Sequence, residues 1–246
     1  MIVKNNSSKR IFETGSALVY ILIAIALLAA LTASFMRPSS QQTTAQGSFN
    51  ATVELRSQID FINSSIQECI LNYPSGDRGP SGTSGLVGTL NIPYPINPTD
   101  TYFTTPAPND NLEFIRCPGN PGNTNDHARI FGGTSGKFLP PPVNLFEDWE
   151  YYSGTDGVFF FTRTDKTDAF LQTAMEKLDD DFSECQADVI DANDGEVELT
   201  STATADDPKC KQDASGTRGT CFRVWIIPRA TATYQAGGAE ALASCP

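Results

Sequence analysis

Residues 16–36 read SALVYILIAIALLAALTASFM and contain no charged side chain. Twenty-one residues at about 1.5 Å rise cover roughly 30 Å, the thickness of a bilayer's hydrocarbon core. The stretch therefore predicts a helix able to span a membrane. Ten of its residues are Leu, Ile, Val or Phe. At about −0.3 to −0.6 kcal/mol each, they favour insertion by about 3–6 kcal/mol. Residues 1–14 are polar and carry Lys4, Lys9 and Arg10. Positive charge on that side holds the N-terminus in the cytoplasm and sends the remainder outward. Three fates fit the segment. It is cut near Ala33-Ser34 as an ordinary secretory signal, it stays as an uncleaved anchor, or it is cut just before the apolar run and the helix is retained.

The third fate matches a family pattern. A short basic leader ends at Gly15, and Ser16-Ala17-Leu18-Val19-Tyr20-Ile21-Leu22 follows. This resembles the N-terminal signature of type IV pilins and pseudopilins. The resemblance implies a leader of residues 1–15, cleavage by a prepilin peptidase after Gly15, and an N-methylated Ser16. It implies that residues 16–36, with Leu18, Tyr20 and Leu22 near the start, form the transmembrane and filament-core helix. A proline often follows that helix in the family, and Pro38 stands there. Tyr20 occupies the position where most members carry glutamate, which implies a minor subunit or pseudopilin rather than a major pilin. The partners implied are other pilin-like subunits, the peptidase and the bacterial inner membrane. The head would then lie in the periplasm or outside the cell, as part of a type IV pilus or type II secretion-like apparatus. The alternative is a membrane-anchored or secreted binding module with no filament role.

Beyond the membrane segment, Pro38 to Gly47 is polar and reads as a link or kink. Leu55, Ile59, Ile62, Ile66, Cys69, Ile70 and Tyr73 then recur at helical spacing. Residues 37–73 are thus expected as a linker and an amphipathic helix over 48–73. Residues 74–246 form the expected head. Its first part, 74–146, holds twelve of the chain's sixteen prolines, so it cannot be mainly helix and reads as irregular loop with short strands. Its second part, 147–246, opens with EDWEYYSGTDGVFFFTR. Aromatic runs either side of Ser153-Gly154-Thr155-Asp156-Gly157 predict a β-hairpin whose rings fill a sheet core. Residues 167–186 predict a second helix with Phe170, Leu171, Ala174, Met175, Leu178, Phe182 and Cys185 on one face, capped by Thr167 or Asp168. Cys221 to Ile227 predicts a strand stopped by Pro228. The expected fold class is α+β: a long membrane-inserting helix, then a disulfide-pinned head with an antiparallel sheet, a packed helix and long Pro/Gly-rich loops.

The formal charge is −12. Residues 1–146 balance nine acidic against nine basic side chains, whereas residues 147–246 carry twenty against eight. Such a head repels phosphates, so no nucleic acid is expected as a partner. Six cysteines, Cys69, Cys117, Cys185, Cys210, Cys221 and Cys245, lie behind a membrane-crossing signal with no C-x-x-C pair. That pattern reads as disulfides in an oxidising compartment rather than a zinc site. The turn Asp213-Ala214-Ser215-Gly216 favours a Cys210–Cys221 pair, after which Cys69–Cys117 and Cys185–Cys245 follow.

Catalytic patterns are sparse. His127 is the only histidine and no G-x-S-x-G is present, so no enzyme activity is expected. The run Phe131 to Lys137 lacks the order of a phosphate loop, because Phe138 follows the lysine. No cofactor is expected, with one weak metal candidate. Asp188, Asp191, Asn193, Asp194 and Glu196 place oxygen donors suited to calcium in what reads as a flexible loop after the second helix, although the spacing is not that of an EF-hand.

Overall fold

The computed structural model describes residues 14–35, 40–78, 91–120, 127–154, 157–166, 168–183, 185–192, 196–200, 208–210 and 219–228. Two compact units divide the chain, Met1–Thr44 and Ala45–Pro246.

The first unit contains helix α1, Thr14–Phe35. Its side chains are described over residues 17–32, all of them exposed. That is about 24 Å of helix, and among the described residues no helix is long and apolar enough to cross a membrane.

Helix α2 runs from Ser40 to Asn72. The expected link over 38–47 is therefore corrected to helix from residue 40 onward, while Pro38 lies outside the described residues. Gln41, Gln42 and Ala45 are good helix formers, and only Gly47 opposes them. Gly47 has a packing reason: a Cβ there would stand 3.2 Å from Cδ2 of Phe170. Leu55, Ile59, Ile62 and Ile66 are fully buried and Cys69 nearly so, as the periodicity predicts.

The Pro/Gly-rich region forms short strands β1 (Asp77–Arg78) and β2 (Asn91–Ile92) and isolated bridges among Ile96, Arg116 and Arg129. The predicted hairpin is present. Strand β3 (Glu150–Gly154) pairs antiparallel with β4 (Gly157–Thr164). Helix α3 spans Ala169–Asp179, shorter than the expected 167–186. Three consecutive aspartates at its end are poor helix formers, and they place negative charge where the helix dipole already points its negative pole. Phe182 and Cys185 fall beyond the helix. Asp168 sits at the N-cap but its side chain makes no capping bond, and Thr167 lies outside the described residues.

Strand β5 (Ala187–Ala192) occupies part of the expected acidic loop. Short strands β6 (Val197–Glu198) and β7 (Lys209–Cys210) pair with each other. Strand β8 (Gly219–Pro228) is the predicted C-terminal strand. The main sheet has the order β3-β4-β8-β5, every pair antiparallel.

The sheet is buried on both faces. One face presents Tyr151, Val158, Phe160, Phe222 and Val224 to the stripe of α2 and to Leu171, Met175 and Leu178 of α3. The other presents Tyr152, Phe159, Phe161, Cys221 and Trp225 to Ile190, Leu199 and Cys210. A register shift between Val158 and Phe159 lets both Ile226 and Ile227 pack on the helix side, because a bulge resets the two-residue alternation. All the aromatics of the hairpin that were expected as core are buried.

Two disulfides are formed as expected. Cys69–Cys117 closes a separation of 48 residues and Cys210–Cys221 one of 11. On a chain-entropy basis they contribute about 4 and about 3 kcal/mol respectively. Cys185 is also disulfide-bonded, and Cys245, its expected partner, lies outside the described residues.

Strand β8 carries one fully buried charge, Arg223. Its Nε donates to Asp188 Oδ1 at 2.9 Å, Nη2 donates to Asp188 Oδ2, and Nη1 donates to the Leu199 carbonyl at 2.9 Å. The guanidinium also lies 4.4 Å from the Trp225 ring centroid. Removing one member of such a pair strands the other charge, which costs about 3–5 kcal/mol. Arg223→Ala should lower the free energy of urea unfolding by that amount. The joint replacement of Arg223 by Met and Asp188 by Leu should recover most of the loss.

Candidate functional site

Leu18, Tyr20 and Leu22 are 61%, 70% and 58% exposed on α1. Ile23, Ile25, Leu27, Leu28 and Leu31 are half exposed or more, so the helix shows apolar side chains all round. An all-apolar helix surface is incompatible with water as its resting environment. Gly15 and Ser16 lie in the first turn of α1. The one polar interior residue of the described stretch, Thr32, turns its hydroxyl back to the carbonyls of Leu28 and Ala29 at 3.0 Å, as Ser and Thr do in apolar helices.

The head carries a polar cleft of about 970 Å³ on the β3 side of the sheet. It is walled by Thr99 and Pro108 to Asn111, by Phe146 to Asp148, and by Glu150, Arg163 and Lys209. The β3 edge beneath it is closed. Leu112 donates to the Trp149 carbonyl at 2.8 Å, Tyr151 donates to the Asp110 carbonyl at 2.9 Å, and the Ser153 amide donates to Asn97 Oδ1. Two cations organise the cleft. Arg163 is held by Glu147 and, at 2.8 Å, by Glu150. Lys209 is held by Glu196 at 2.6 Å and Glu198 at 2.9 Å. These hydrogen bonds raise the Lys209 ammonium to about 12. Each cation has two carboxylates, so the cleft stays net negative while its charges are matched. Among the described residues no pairing of a nucleophile with a base lines it. Sequence reading missed this arrangement because four distant segments build it and no local motif marks any of them.

The other sequence candidates fall elsewhere. Ring stacking holds His127 on Tyr102 with centroids 5.9 Å apart. Its Nε2 is 3.2 Å from the Tyr102 hydroxyl and its Nδ1 3.2 Å from the Asn120 carbonyl. That is a structural role within the loop region. The Gly-rich run is a tight turn, in which Gly132 donates to the Lys137 carbonyl at 2.6 Å. Tyr151 is fully enclosed; burial pushes its phenol well up, and its hydroxyl donates to the Pro95 carbonyl at 2.7 Å.

The loop placement of two calcium candidates is corrected. Asp188 and Asp191 lie on strand β5 rather than in a loop, three residues apart, and so point to opposite faces. Asp188 is committed to Arg223. Asn193 and Asp194 lie outside the described residues. Among the described residues no group of three or more potential metal ligands is gathered.

No protein-family model, no characterised protein and no solved structure matches the chain.

One carboxylate in the head titrates unusually. Burial at the end of α3, with Asp188 and then Asp180 nearby, raises Asp179 from 3.8 to about 6. Between those values the unfolded chain has released this proton while the folded chain keeps it. Stability is therefore full below about pH 4 and falls as pH rises to about 6. Asp179→Asn should stabilise the head by about 1 kcal/mol at pH 7, a figure that allows for the group's partial exposure. The gain should vanish below pH 4. Thermal unfolding of both proteins between pH 3.5 and 7.5 measures this.

Proposed function

We propose that this chain is a structural subunit of a type IV filament or type II secretion-like apparatus, in the manner of a minor pilin or pseudopilin. One observation carries the reading: an uncharged helix begins around Gly15-Ser16, behind a basic leader, and its described side chains are exposed on every side and, Thr32 and the Tyr20 hydroxyl apart, apolar. Such a surface has two stable settings, lipid and other apolar helices. Before assembly the helix would rest in the inner membrane with the acidic head outside. During assembly it would leave the lipid and pack among similar helices. The insertion energy of several kcal/mol is then offset by helix packing and by the assembly machinery.

The second unit supports the same division of labour. Residues 45–72 of α2 spend their apolar stripe on the head itself, against the sheet and α3. Gln58 strengthens that contact from within the core. Its Oε1 accepts from Trp149 Nε1 at 2.7 Å and its Nε2 donates to the Pro141 carbonyl at 2.7 Å. A head fastened this firmly to its own helix suits a part that is carried as one piece.

The N-terminus of the mature protein tests the proposal. Mass mapping of protein recovered from the cell envelope should find Ser16 as the first residue, N-methylated. Gly15→Leu should leave the full-length chain unprocessed. A mature start at Ser34 would refute the proposal, and an intact Met1 in the unaltered protein would mark a plain anchor.

A further inference from the structure

The Cys69–Cys117 disulfide borders a pocket that holds two cations. Both cysteines line a pocket of about 170 Å³, together with Arg129, Lys137, Glu68 and Tyr73. Lys137 is paired with Glu68. Arg129 is stacked over the Phe114 ring at 4.9 Å, and no carboxylate pairs with it among the described residues. Two cations against one carboxylate make this pocket locally positive, within a chain of net charge −12. Arg116, the backbone-bridge neighbour of Arg129, lies outside the pocket lining; its guanidinium donates to the Thr105 carbonyl at 2.9 Å and covers the Phe103 ring.

The second described disulfide is placed differently. Cys210 and Cys221 are both 0% exposed, among Phe161, Ile190 and Leu199, whereas Cys69 and Cys117 keep 5% and 4%. Thiol–disulfide exchange requires a thiolate to reach one sulfur and the other sulfur to leave as a thiolate. Positive charge next to the bond favours both events, since it attracts the incoming anion and stabilises the leaving one.

We propose that the pocket beside Cys69–Cys117 is an exchange site for a small or protein-borne thiol, and that an anionic thiol is its preferred reactant. The attacking thiolate forms a bond to one cysteine sulfur, the S–S bond breaks, and the other cysteine departs as a thiolate facing Arg129 and Lys137. A dithiol reactant then resolves the mixed disulfide with its second thiol. Two electrons pass to the protein, and the dithiol leaves as its own disulfide.

The structural consequence is local. The bond fastens the end of α2 to the turn at Cys117–Asn120. Among the described residues, the noncovalent ties at that junction include Tyr73 Oη donating to Asn120 Oδ1 at 3.1 Å, the Cys117 amide donating to the Ala128 carbonyl at 3.0 Å, and the Lys137–Glu68 pair. Below that level Ile62, Ile66, Ile115 and Ile130 all belong to the main core. Exchange should therefore loosen the α2 end and the turn at Cys117–Asn120 while the sheet stays intact.

Graded reduction of the whole protein tests this, at about 100 mM salt, where distant charge is largely screened. Samples are quenched with N-ethylmaleimide and each cysteine is mapped by mass spectrometry, with circular dichroism on the same samples. Mercaptoethanesulfonate is the anionic probe and cysteamine the cationic one. Cys69 and Cys117 should be labelled while Cys210–Cys221 is intact and the dichroism is native. The anionic probe should react there faster, on the order of threefold. Arg129→Gln combined with Lys137→Gln should remove that preference. Labelling of Cys210 and Cys221 first, or of both pairs together with loss of structure, would overturn the proposal. Equal rates for the two probes would overturn it as well.

Discussion

Strand β8 is buried on both faces, and most of the head is arranged to satisfy that constraint. A central strand in an antiparallel sheet must find apolar cover above and below. Phe222 and Val224 are covered by α2 and α3, while Cys221 and Trp225 are covered by the segment that carries Leu199 and Cys210. The bulge opposite Val158 adjusts the alternation so that Ile226 and Ile227 both meet the helical layer. Arg223 is the exception, a charge at the centre of a buried strand. Its donors reach a carboxylate on the neighbouring strand and a carbonyl of the covering segment. Arg223 thus joins the covering layer to the sheet in a way that apolar contact alone would leave unspecified.

The described residues of the region 91–149 have little regular structure to hold them, and are fixed by other means. One anchor is covalent, Cys117 to the end of α2. Another is the buried pair of bonds made by Gln58, which reaches Trp149 and the Pro141 carbonyl from inside α2. A third is the edge of β3, whose amides and carbonyls are taken up by residues 97–112. Covering that edge also removes a template on which another chain could add a strand. The polar cleft lies where these covering loops meet the charged end of β4, so its walls are by-products of how the edge is closed.

Much of this was legible in the sequence, for identifiable reasons. The helical stripe from Leu55 to Cys69 and the aromatic hairpin are strong periodic signals, and both elements form. The pairing of Cys210 with Cys221 is signalled by a local turn, whereas Cys69 with Cys117 is one of three pairings that the remaining four cysteines allow. The failures are equally specific. Helix α2 starts early because Gly47 is accommodated by Phe170, a contact from a residue more than a hundred positions away. Asp188 and Asp191 hid a strand, since the carboxylate that made the segment look like a loop is neutralised by Arg223. Helix α3 stops early at its run of aspartates. The cleft could not be read at all, because its charges come together only after folding.

The two units differ in the surfaces they expose. The head buries its own apolar surface and presents acid to water. The described surface of α1 carries no charge and, Thr32 and the Tyr20 hydroxyl apart, is apolar. That contrast is the basis of the assembly proposal, and it is most directly tested at Leu22. A photo-crosslinking residue placed there, in the processed protein within its native envelope, should yield adducts with the N-terminal helices of other pilin-like subunits. Adducts with lipid alone, under conditions where the surface apparatus is assembled, would contradict the account.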